Sequence, residues 1–155
     1  MTGNQSAGAE QQSDLVPLVM LPRFTTFAGR ATPAQYFATI GLDVKEYGRT
    51  VLNVWRGNVV GRDTPGFRVW FEESTDQDSW TPCDGAPHGR EGCDPGEHTE
   101  SQYDLLLRKR WFRIRIQLGG RDNVVTCWAV GYLHVRRVES PPLNEAKGVM
   151  GFFRR

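Results

Sequence analysis

Between Trp111 and Leu118 the chain alternates without a break: Phe112, Ile114, Ile116 and Leu118 are apolar, and Arg113, Arg115 and Gln117 between them are polar. A period of two belongs to a β-strand with one face buried. The same rhythm sets Phe67, Val69 and Phe71 against Arg68 and Glu72, and Val51 and Trp55 against Leu52 and Val54. After the turn residues Gly119 to Asp122, the odd positions Cys127, Ala129, Leu133 and Val135 take up an inward face. With Gly57-Asn58 as a further turn and few helix signals, the pattern predicts an all-β protein, an antiparallel β-sandwich of the jelly-roll kind.

At 155 residues the chain suffices for one core. We expect residues 1–14, rich in Gln, Gly, Ser and Ala, to be a flexible N-terminal arm. Residues 15–139 form the sandwich, with a loop insertion at 83–104, and residues 140–155 a C-terminal docking tail. Leu15 to Ala28, punctuated by Pro17 and Pro22, reads as a strand or an extended arm, and Leu15 to Phe27 as apolar surface for adjacent subunits. Thr32-Pro33 offers a helix cap followed by proline at the first helical position, which predicts one or two helical turns over Ala34 to Ile40. Ser140-Pro141-Pro142 ends the strand pattern. Beyond it, Val149, Met150, Phe152 and Phe153 are an aromatic cluster that must either fold back on its own domain or dock on a neighbour.

Cys83, His88, Cys93 and His98 stand at equal five-residue intervals in a Gly/Pro/acidic stretch with no core of its own. Two Cys with two His is a structural zinc set, although four residues between each successive pair is wider than the common zinc knuckle. A Cys83–Cys93 disulfide, a calcium site on Asp84, Asp94 and Glu97, and a solvated loop are the alternatives. Cys127, between Thr126 and Trp128, reads as a small buried hydrophobe.

The formal charge of +1 supplies no global attraction to nucleic acid or anionic membrane. Nor does any apolar run approach the roughly 20 residues of a membrane helix, and residues 1–14 lack the apolar core of a signal peptide. The basic run Arg108 to Arg110, with Arg113 and Arg115, is matched by the acidic stretch Glu72 to Asp78, so cross-strand ion pairs are expected in place of phosphate binding. No nucleophile–histidine–acid spacing, phosphate-binding glycine loop or HExxH pattern is present, and the chain is expected not to be an enzyme.

Phe71 to Thr81, a strand running through Ser74-Thr-Asp76 to Trp80, resembles the strand and turn of discoidin-like sandwich modules. Arg110 to Ile116 and Val130 to Val135 resemble that family's later and closing strands, so the likeness spans residues 48–138; the insertion at 83–104 departs from it. That resemblance implies the fold and not a glycan or lipid site; a discoidin-like carbohydrate-binding module, in which an exposed Trp55, Trp70 or Trp80 stacks on a sugar, is the alternative function. The layout of a sandwich with two arms also resembles tailed-phage virion structural proteins. It implies a non-enzymatic head-decoration or tail-associated subunit that self-associates or binds other virion subunits, made in the host cytoplasm and located in the virion, or otherwise soluble in the cytoplasm. We carry the virion subunit forward as the leading expectation.

Overall fold

A computed structural model of the chain describes residues 14–137, and within that span the alternating segments become strands. In order these are β1 (Leu15–Gly29), β2 (Ala34–Ala38), β3 (Leu42–Asp43), β4 (Tyr47–Arg56), β5 (Val60–Ser74), β6 (Thr81–Pro82), β7 (Thr99–Leu106) and β8 (Trp111–Val135). One 3-10 turn, Gly89–Glu91, is the sole helical element among the described residues. The residues expected to form the first arm (up to residue 13) and the docking tail lie outside the described span.

All eight strands belong to one curled antiparallel sheet organised by β8. Its first half pairs with β5 on one side and with β2 and β3 on the other; its second half pairs with β4 and β1. β6 extends the first half beyond β5, and β7 extends the second beyond β4. β8 makes the change by shifting phase. Phe112, Ile114, Ile116 and Leu118 face inward before the bend, Val125, Cys127, Ala129 and Leu133 after it. Left-handed backbone at Gly120 (φ 91°) and Asp122 (φ 51°) accomplishes the shift, so the expected turn is a kink inside one long strand. The inner faces meet in a single core, where the rings of Phe71 on β5 and Tyr103 on β7 lie 5 Å apart in round terms, at 4.8 Å between centroids.

Four expectations are corrected. Ala34 to Ile40 is not helical: residues 34–38 form β2, register-matched to Gly119–Arg115, because alternating Gln35 and Phe37 fit a sheet edge and the aromatics make no helical stripe. Leu15 to Phe27, expected as a strand or an extended arm, is a strand; it pairs along β8 and sends Leu18 and Leu21 into the chain's own core, so those two side chains are not surface for adjacent subunits. The insertion ends at His98, where β7 begins its pairing with β4. Val135, expected inside, is exposed at the end of β8.

Close approach of backbones fixes one residue type on β8. Gly131 sits opposite Leu52 on β4 and Leu18 on β1, and a Cβ there would overlap the Val51 carbonyl oxygen. Only glycine fits between the two flanking strands at that point.

Candidate functional site

The two halves of the sheet present very different outer faces. On the first half the side chains cover one another. Glu72, whose side chain is only 8% exposed, accepts a hydrogen bond from Arg113 Nε at 2.8 Å and from Arg115 Nε at 3.0 Å. Arg113 lies over the Trp80 ring and Arg115 over the Trp70 ring, each 4.1 Å from the ring centroid. Trp70 Nε1–H donates to the Arg90 carbonyl at 3.0 Å, and Trp80 Nε1–H to the Gln77 carbonyl at 3.0 Å. The alternation in β5 placed Glu72 on the solvent side; guanidinium and indole groups then roof it over, which is why a polar strand position is buried.

On the second half the outer face is open and apolar at its centre. Val19 on β1 registers with Val130 on β8, and Tyr132 registers with Val51 on β4. Val19 is 60% exposed and Tyr132 52%. Beside them the rings of Trp55 and Trp128 stack at 6.4 Å and 12°. Arg23 lies 4.8 Å over the Trp128 ring, and the His98 ring, tilted by 49°, is centred 6.1 Å from that of Trp55. Charged and polar groups surround the patch, including the Arg49–Asp104 pair and the 3.1 Å Gln102–Asn53 hydrogen bond.

The cysteine and histidine segment is anchored without a metal set. Cys83 N–H donates to the Phe71 carbonyl at 2.9 Å, and Cys93 exchanges backbone hydrogen bonds with Val69 at 2.8 and 3.0 Å. Both thiols therefore enter the core from the outer edge of β5, while His88 and His98 are exposed. Among the described residues no group of three or more His, Cys, Asp or Glu side chains is placed to hold a metal ion. Burial raises the Cys83 and Cys93 thiols above the ordinary thiol range; for Cys83 the carboxylates of Glu73 and Asp84 add to it, and for Cys93 Asp94 does, against a hydrogen bond from Tyr103.

An ion pair completes the clip. Arg56, at the end of β4, donates to Asp94 through Nε at 2.6 Å and through a second guanidinium nitrogen at 2.8 Å. Burial works against the charged Asp94, but the Arg56 guanidinium and the Gly96 N–H outweigh it and hold the carboxyl below its usual value. At Gly92 (φ 73°) a Cβ would meet the Trp70 indole at 2.6 Å, so the loop lies flat on the ring. Sequence reasoning foresaw that the loop needed a fastening; an Arg and an Asp separated by 38 positions gave no local signal of it.

A cleft of about 560 Å³ lies between this loop and β5, lined by Phe67, Arg68, His88, Glu91, Asp94 and Gln117 among others. Arg68 is tied to the Glu91 carbonyl at 2.8 Å. No helix among the described residues is long and apolar enough to cross a membrane. Compared with known proteins, the chain matches no family model, no curated protein and no solved structure.

Proposed function

We propose that this chain is a non-enzymatic structural subunit of a large assembly, a virion component of the head-decoration or tail-associated kind, in which a sandwich-like body acts as spacer. The observation that carries the reading is the outer face of β1, β8 and β4. An apolar centre of Val19, Val51, Val130 and Tyr132, flanked by a tryptophan pair and rimmed by charge, has the anatomy of a protein–protein interface. Neighbouring subunits would be bound there.

Sugar stacking is less well supported, because Arg115 lies over Trp70, Arg113 over Trp80, and Trp128 is stacked against Trp55. Phosphate binding through Arg113 and Arg115 is likewise disfavoured by the shared Glu72.

The test is sedimentation of a source-cell lysate through a density gradient, with this chain followed by mass spectrometry. Migration with a fast particle at a fixed ratio to the particle's other proteins is expected. Val19→Asp combined with Tyr132→Asp should leave the purified chain folded by circular dichroism yet shift it to the top of the gradient. Recovery of the unaltered chain only at the top, from cells that contain assembled particles, would overturn the proposal.

A further inference from the structure

We infer that the seam between β1 and β2 is a socket for the aromatic residues near the C-terminus of the same molecule, Phe152 and Phe153. This inference goes beyond the assembly reading and does not depend on it.

The seam is where the curled sheet fails to zip. Leu21 and Phe27 of β1 approach Phe37 and Ala38 of β2 across a gap floored by Ile114 and Ile116 of β8. The Phe27 and Phe37 rings are in contact at 5.0 Å, at 51° to one another. The cavity measures about 130 Å³. An apolar cavity of about 150 Å³ stays dry and accepts a benzene ring, so this one suits a single phenyl group.

Its surroundings are as telling as its size. Phe24, between Leu21 and Phe27, is 85% exposed, and Ile40, just past Thr39 on the cavity wall, is 90% exposed. Two large apolar side chains thus project beside one apolar opening. Phe24 also adopts a left-handed backbone (φ 65°), an outlier for a bulky residue that holds its ring outward. A segment lying along the seam would cover both and place one ring in the gap.

Reach selects the occupant. The described chain leaves β8 at Val135, whose N–H donates to the Asp14 carbonyl at 2.9 Å, and the Arg137 guanidinium then binds the Asp14 carboxylate at 2.7 Å. Leu21 is opposite Ala129, and Phe27 opposite Val125, so at about 3.3 Å per residue the seam lies roughly 20 to 33 Å back along the strand. The residues between Arg137 and Val149, including Pro141-Pro142, span up to about 40 Å when extended. The tail reaches its own socket with little excess. Tethering then gives it an effective concentration in the millimolar range, above that of any neighbour's tail in dilute solution.

The test uses the full chain with Phe153→p-benzoylphenylalanine, prepared in light and heavy isotope forms, mixed, irradiated and mapped by mass spectrometry. Crosslinks to residues 21–27 and 37–39 are expected within one isotope form, light to light and heavy to heavy. Leu21→Phe, which enlarges a buried side chain lining the cavity, should lower that crosslink about tenfold by occupying the ring's place. In the chain without the photoprobe, Phe152→Ser with Phe153→Ser should speed amide exchange over residues 21–27 by about tenfold, through easier local opening. Crosslinks to other regions, or exchange unchanged by the serine pair, would overturn the socket. Light-to-heavy crosslinks at the same residues would overturn the assignment to the same molecule and give the seam to a second copy. The density gradient reads assembly and not the seam, so either proposal can fail alone.

Discussion

Replacing Glu72 by glutamine tests the roofed face of the sheet most directly. The substitution keeps shape and volume but removes the charge that holds Arg113 and Arg115 at 2.8 and 3.0 Å. The new amide has one oxygen for two guanidinium donors and turns an N–H₂ toward one of them. Removing one partner of a buried ion pair costs about 3 to 5 kcal/mol. Here the guanidinium side chains are 22% and 29% exposed and keep their indole partners, which places the cost near the lower end, about 3 kcal/mol. For a domain of this size that lowers Tm by roughly 10 °C. In urea the midpoint should fall with an unchanged slope. The matching triple variant, Glu72→Leu with Arg113→Met and Arg115→Met, removes every charge together. It should lie within about 1 kcal/mol of the original chain or above it, since apolar replacement of a buried ion group is often neutral or stabilising. A loss under about 1 kcal/mol for Glu72→Gln, or a triple variant weaker than the single one, would refute this account.

Other outcomes follow from the same structure. Gly131→Ala drives a methyl group into the Val51 carbonyl and should cost about 3 kcal/mol or more by urea unfolding, whereas Gly66→Ala, with open space around it, should cost far less. Asp94, Asp104, Asp43 and Asp76 all have carboxyls lowered from 3.8 in the folded chain. Because the unfolded chain takes up these protons first, their stabilisation is complete above about pH 4 and is lost as pH falls through the lower folded values; Asp94→Asn should flatten the acid limb of a stability–pH curve. Burial pushes the Cys127 thiol up to about 12 and raises Cys83 and Cys93 as well, so a thiol reagent at pH 8 should modify the folded protein at least about a hundredfold more slowly than the denatured one. Chelation should leave Tm unchanged, and a fall of several degrees that added zinc restores would contradict the placement of His88 and His98.

The strands most legible in the sequence were those with one face buried. Trp111 to Leu118 and Phe67 to Phe71 read correctly because their alternation is local and reports the core directly. β2 was misread because Thr32-Pro33-Ala34 carries helix-start chemistry, and only pairing with β8 overrides it. β7 was hidden inside the insertion because Thr99-Glu-Ser-Gln102 is polar on both faces; Tyr103 and Leu105 alone carry its inward pattern. The candidate site divides the same way. The composition of the Cys/His loop was visible, and so was its need for an anchor. Its anchors on β5 and Arg56 come from residues 12 to 38 positions away, and an evenly spaced set of ligands says nothing about which side chains turn inward.

The dominance of β8 also bears on how the protein is made. β8 borders β1, β2, β3, β4 and β5, and it is the last strand in the described chain. Until the ribosome has delivered it, only the β4–β7 and β5–β6 ladders have both members present. Each of the earlier strands waits with an unpaired edge. The final described strand then closes pairings that reach back to Leu15, a topology of long sequence separations and correspondingly slow closure. A ribosome stalled within residues 111–135 would therefore release apolar strands in search of a partner, the condition that favours aggregation and capture by chaperones over folding.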